Sequence, residues 1–177
     1  MRAVCSVLDE ASHATVEMLW ESLRREFGVA PPFKTPIPHF TYHAAQEYDW
    51  MRLRDALYHV ARDHEPFVVR TGGLGLFTGN RIVVHVPLVR TPAMNAIQRD
   101  LWRDLHGVGQ GVLPFYASDC WIPHVTLAHG VSPEQLSGIV AWLAERSFAW
   151  EVQVTKLTLI GDLTGLGELP HEFELGG

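Results

Sequence analysis

Pro38-His39-Phe40-Thr41 and Pro123-His124-Val125-Thr126 carry one pattern, Pro-His-x-Thr, with an apolar residue between the His and the Thr. Alternate residues of an extended strand share a face, so each His projects beside its Thr. Phe40 and Val125 then point to the opposite, apolar side. If an approximate twofold relates the two strands, the motifs converge on one cleft with two imidazoles and two hydroxyls. A neutral imidazole takes a proton from an attacking water or hydroxyl, and an imidazolium returns one to a leaving oxygen. An unperturbed histidine titrates near about 6.5, so both forms are present at neutral pH without a metal. The hydroxyls of Thr41 and Thr126 suit the non-bridging oxygens of a phosphate. The set therefore fits cleavage or transfer at a phosphodiester, with His39 and His124 sharing the acid and base duties. Spacing leaves open which is the base. One His-x-Thr on a strand is ordinary, because Thr favours strands and half-buried histidines are common. The duplication carries the reading.

Outward from the motifs, the two halves repeat an order of elements. Residues 2–8 alternate as a strand, and 12–27 carry Val16, Leu19, Trp20, Leu23 and Phe27 at helical spacing, with Ser12 as cap and Gly28 as stop. A Pro-rich loop leads to a short strand at 37–43, and helical spacing returns over 48–64. Residues 67–78 read as one strand, turning at Gly79-Asn80 into a strand over 81–89. In the second half, Thr91-Pro92 opens a helix, with Pro92 at a position where its missing donor does no harm. A strand over 121–128, a helix from Ser132 to about Arg146, a strand over 150–160 and a closing strand over 170–175 complete the chain. The halves, about 1–80 and 81–177, have no linker between them, so a single α+β domain over 1–177 with two sheet-bearing lobes is expected.

Composition limits the partners. Hydrophobic residues make up 47% of the chain, enough for a core, and no apolar run reaches the roughly 20 residues of a membrane span. Two cysteines, Cys5 and Cys120, make neither a disulfide framework nor a four-thiolate zinc site, and a soluble cytoplasmic protein is expected. Fourteen basic against 20 acidic residues give a net charge of −6, which disfavours a wide basic groove for long duplex nucleic acid. A phosphate substrate would be held at a small site, or, in the rival reading, a nucleotide or RNA end would be bound there without chemistry.

The two motifs, their places in the halves and Gly73-Leu74-Gly75-Leu76-Phe77 before a Val-rich strand resemble the two-histidine phosphoesterase superfamily. That superfamily includes the 2′-5′ RNA ligases and cyclic phosphodiesterases. The resemblance spans nearly the whole chain, its specific part being a handful of residues. It implies a bilobal α+β fold, with antiparallel sheets lining a central cleft and helices outside. It also implies metal-independent chemistry on 2′,3′-cyclic phosphates or on 2′-5′ phosphodiester bonds of RNA or oligonucleotides; a monomer without a cofactor, acting on a small nucleotide or an RNA terminus, is expected. The family's histidines fall on His39 and His124, and its phosphate-binding hydroxyls on Thr41 and Thr126.

Other residues invite narrower readings. The first motif continues Tyr42-His43, and His43 stays in register with His39 and Thr41 if the strand remains extended. It is then an accessory imidazole, or with His39 and His124 a three-histidine zinc site, although no carboxylate is placed to orient such ligands. Tyr42, Trp121, Tyr116 and Phe33 flank the motifs and are candidates to stack on a base, with core packing as the plainer fate. Lys34, Arg81 and Lys156 are cations within possible reach of a phosphate. Cys120, four residues before His124, invites a Cys/His pair but reads better as a rim residue, and Cys5 reads as core. Gly72–Gly75 lacks nucleotide-loop spacing and enters a hairpin.

Overall fold

The computed structural model describes residues 1–32, 37–161 and 171–176, so Phe33, Lys34 and the start of the closing strand at Pro170 lie outside the described residues. The elements run β1 (Arg2–Val7), α1 (Glu10–Phe27), β2 (His39–Ala45), β3 (Glu47–Tyr48), α2 (Trp50–Arg62), β4 (Phe67–Arg70), β5 (Gly75–Phe77) and β6 (Ile82–Pro87). There follow α3 (Pro92–Asp104), β7 (Gly109–Gln110), a 3₁₀ turn (Pro114–Tyr116), β8 (His124–Val131), α4 (Pro133–Ala144), β9 (Glu151–Val154), β10 (Lys156–Gly161) and β11 (Glu172–Glu174). The class is α+β, and the strands described here pair antiparallel.

Two larger sheets position the motifs. One has the order β11-β10-β1-β2 and the other β5-β6-β8, so each motif strand, β2 and β8, is the edge of its sheet. The two edges lie against each other. Helices α2 and α3 pack on the first sheet, while α1 lies on β8 beside α4. The chain thus crosses over: the helix following β1 covers the sheet that holds the second motif. A continuous core runs between these layers, including Phe40 and Val125 as the motif spacing requires, with Leu53, Leu57, Ile97, Leu101, Ile139 and Leu143 from the helices. Each such side chain contributes about 1.5–3 kcal/mol by leaving water.

The local signals explain most boundaries. Thr91 caps α3 through its side chain, and Ser132 and Gln135 close a reciprocal capping box at α4. Gly28 ends α1 at φ 68°, a left-handed conformation that favours glycine. Three expectations need correction. The cap of α1 is Asp9, whose carboxylate accepts the Ser12 amide at 2.9 Å and the Gln153 amide at 2.7 Å; Ser12 is inside the helix. Residues 67–78 form two strands, because the chain turns at Gly73 (φ 74°) and passes from β4, paired with β9, to β5, paired with β6. Residues 150–160 likewise divide at Thr155, whose carbonyl accepts from the Leu175 amide while β10 moves on to β1.

Candidate active site

The two motifs occupy matched positions in their sheets. Along β1, Val7, Ser6 and Cys5 pair with His39, Phe40 and Thr41; along β6, Pro87, Val86 and His85 pair with His124, Val125 and Thr126. Immediately beyond each Thr the register slips by one residue: Val4 pairs with His43 and Val84 with Ala128. Tyr42 and Leu127 are therefore the extra residues of two β-bulges placed alike after the two motifs. Even the entry is shared, since the Leu8 amide donates to the Pro38 carbonyl and the Leu88 amide to the Pro123 carbonyl.

Each imidazole is oriented by a carbonyl two residues back, just before its strand begins. His39 Nδ1 donates to the Ile37 carbonyl at 2.5 Å, and His124 Nδ1 donates to the Ile122 carbonyl at 2.7 Å. A carbonyl only accepts, so Nδ1 carries the proton in both rings and Nε2 is the nitrogen that exchanges one. Burial lowers the proton affinity of both below the ordinary histidine value. The bond to Ile37 opposes this at His39, where the positive charge of a protonated His124 adds a further reduction. At His124 the bond to Ile122 opposes burial in the same way. His39 therefore senses the charge of His124.

His124 belongs to a ring cluster. Phe77 meets it edge-on with centroids 4.8 Å apart, and His85 meets it at 5.1 Å. Phe77 and His85 are themselves stacked at 4.1 Å and 19°. His85 fits because its cross-strand neighbour is Gly75: a Cβ there would stand 2.3 Å from His85 Nε2. Burial pushes His85 down to about 4, with the charge of His124 adding to the effect, so His85 is neutral at ordinary pH. Sequence reasoning missed His85, although an imidazole within the otherwise apolar run Val83-Val84-His85-Val86 was a visible signal.

The other candidates separate from the motifs. The bulge at Tyr42 ends the extended alternation, and His43 turns to the side of α3, where its Nδ1 bonds the Tyr48 hydroxyl at 2.6 Å and its ring packs on Trp102 at 5.3 Å. The structure does not bring it to His39 and Thr41, and among the described residues no three His, Cys, Asp or Glu side chains gather as a metal-ligand group. Tyr42 is buried, with its hydroxyl 3.1 Å from Ser6 Oγ and its ring between Phe40 and Trp121. Trp121 is buried too, and its indole donates to the Thr41 carbonyl at 2.9 Å. Neither presents a face for stacking. Tyr116 is half-buried near Thr41. Lys156 is engaged by Glu172 at 2.7 Å, Arg81 is exposed at the start of the hairpin strand, and Cys120 sits exposed in the turn before β8. Cys5 is core, its thiol donating to the Thr158 carbonyl. An open groove of about 460 Å³ beside α2 and β11 contains none of the motif residues.

Comparison with known proteins bears on the fold and the family. The chain superposes on the crystal structure of TT0787 of Thermus thermophilus with a TM-score of 0.67, at 20% identity over 99% of this chain and 98% of that one. Escherichia coli LigT in apo form gives 0.54 at 18% identity, over 89% and 84% of the chains. Its complex with 3′-AMP gives 0.50 at 17% identity with the same coverage. A Bacillus cereus (strain B4264) protein described as "putative phosphoesterase" is 21% identical over 150 residues, 82% of this chain and 83% of its own length. The fold is that of the two-histidine phosphoesterases. The family model for the 2′-5′ RNA ligase superfamily matches residues 9–165, a span holding both Pro-His-x-Thr motifs, and the chain belongs to that superfamily. Among the described residues no helix is long and apolar enough to cross a membrane.

Proposed function

We propose that the protein is a metal-independent phosphoesterase acting on 2′,3′-cyclic phosphates or 2′-5′ phosphodiester bonds of nucleotides or RNA ends, with 2′-5′ ligation as the reverse reaction. The observation that carries this reading is the matched register of the two His-x-Thr strands, each imidazole held through Nδ1 so that Nε2 is the nitrogen exchanging a proton. In hydrolysis one Nε2 removes a proton from water as the P–O bond to water forms. The other, protonated, gives its proton to the departing ribose oxygen as the second P–O bond breaks. Thr41 and Thr126 donate to the non-bridging oxygens and keep the phosphorus in line between the rings. The phosphate's negative charge favours the protonated ring that this division of labour needs, offsetting the burial that lowers both histidines. The 3′-AMP bound by E. coli LigT supports a small nucleotide as the ligand class. With a net charge of −6 the reading favours a nucleotide or chain terminus over long duplexes, handled by a cytoplasmic monomer.

The test is turnover of a panel of 2′,3′-cyclic nucleotides and 2′-5′-linked dinucleotides in EDTA, with His39→Ala and His124→Ala beside wild type. We expect wild-type turnover to persist in the chelator and each variant to lose roughly 10²–10⁴-fold. Wild-type binding of the panel without product, or activity abolished by EDTA and restored by zinc, would overturn the assignment.

A further inference from the structure

Each β-bulge after a motif is accompanied by an indole. A bulge disrupts the ladder locally, and a buried carbonyl beside it needs a donor from elsewhere. At the first motif Trp121 Nε1 donates to the Thr41 carbonyl at 2.9 Å; at the second Trp20 Nε1 donates to the Thr126 carbonyl at 3.1 Å. Both donors come from across the molecule. Trp20 is on α1, the helix after β1, yet it serves β8. Trp121 stands three residues before His124, yet it serves β2.

The consequence is a tether between the two candidate catalytic strands. Trp121 is joined through Ile122 and Pro123 to His124, and Ile122 supplies the carbonyl that orients the His124 ring. Through its indole the same short segment holds the peptide that follows Thr41. Arg90 braces it from outside: its guanidinium bonds the Ser118 and Trp121 carbonyls at 3.1 and 3.3 Å and lies 5.5 Å from the Trp121 ring centroid. Gln98, fully buried, fixes the preceding turn through the Tyr116 carbonyl at 2.6 Å.

We infer that Trp121 and Trp20 are positioning residues, whose indole bonds to the two Thr carbonyls lock the bulges and set the placement of one His-x-Thr motif against the other. Neither touches substrate. The inference rests on the phosphoesterase reading for its catalytic consequence, but the mechanical part stands apart from it. Displacement of one hydroxyl and one imidazole by a fraction of an ångström lowers the rate of an in-line displacement more than it weakens binding.

The experiment compares Trp121→Phe and Trp20→Phe, which keep an aromatic ring and remove the N–H, with Trp142→Phe, the same change on the outer face where Trp142 packs on Phe27 and Arg146. Backbone hydrogen exchange without substrate is followed over residues 40–45 and 125–130. Trp121→Phe should speed exchange about tenfold or more in the first segment only, and Trp20→Phe in the second only. With a cyclic nucleotide that wild type turns over, kcat should fall roughly ten- to a hundredfold in both while KM changes less, and Trp142→Phe should match wild type. Unchanged exchange beside the bulges overturns the inference, whatever the enzyme does with substrate. So does an equal loss of kcat in Trp142→Phe, or wild-type kcat in folded Trp121→Phe and Trp20→Phe. Wild type inactive on the whole panel counts against the phosphoesterase reading alone, and the exchange result then decides the tether.

Discussion

At the scale of single residues, the site depends on side chains that are absent as much as on those present. Gly75 has a negative φ, so backbone freedom is not its purpose; it lies under His85, where a methyl would meet the ring at 2.3 Å. Gly75→Ala forces His85 off Phe77 and disturbs the packing of His124, because the three rings are in mutual contact. We expect a stability loss of about 1–3 kcal/mol from overpacking, read by urea denaturation, with a fall in kcat. The double variant Gly75→Ala/His85→Ala, which reopens the space, should recover part of that stability loss but not full turnover. Both motif pairs were legible in the sequence because an imidazole and a hydroxyl two residues apart on a strand share a face. His85 was not, because its relation to His124 runs across two strands and through a glycine, a contact that linear spacing does not encode.

At the scale of elements, caps and turns read well apart from the exchange of Ser12 for Asp9 at α1, and strand continuity read poorly. Thr91, Ser132 and Gly28 each announce a helix end by chemistry local to that end. Ser132→Ala should cost about 1 kcal/mol, seen as a lower thermal midpoint, since both halves of the α4 capping box pass through that residue. Activity should be retained, as the cap lies on the far end of β8 from His124. The bulges were illegible for the converse reason. Tyr42-His43 and Leu127-Ala128 contain no glycine or other breaker, and the slip is fixed by partner strands far away in the chain. Alternation therefore placed His43 beside His39, whereas one extra residue turns it to Tyr48 and Trp102. The same limit fused 67–78 and 150–160 into single strands, since a change of partner leaves no mark beyond Gly73 and Thr155.

At the scale of the whole molecule, proton binding sets catalysis against stability. His39 and His124 are both held below the ordinary histidine value near 6.5, and the proposed reaction needs one protonated and one neutral. The pH profile of kcat/KM should therefore peak on the acid side of 6.5 and decline toward pH 8 as the protonated member is lost. His43 and His85 respond to the same change differently. Both are buried, and burial pushes each down to about 4 in the folded state. Between 6.5 and 4 the unfolded chain binds protons that the folded chain refuses, so stability is full above 6.5 and is lost as the pH falls through that window. His43 alone accounts for roughly 3 kcal/mol of this loss. Thermal midpoints measured from pH 7 to pH 4 should fall steeply below 6.5 in wild type. His43→Leu, which starts lower at pH 7 through loss of the Tyr48 bond, should fall less over the same range. Equal slopes in the two proteins would mean that His43 is protonated in the folded state, against its burial beneath α3. A shallower slope in the variant, with the kcat/KM optimum unmoved, would assign the loss of stability to His43 and the activity peak to the histidine pair.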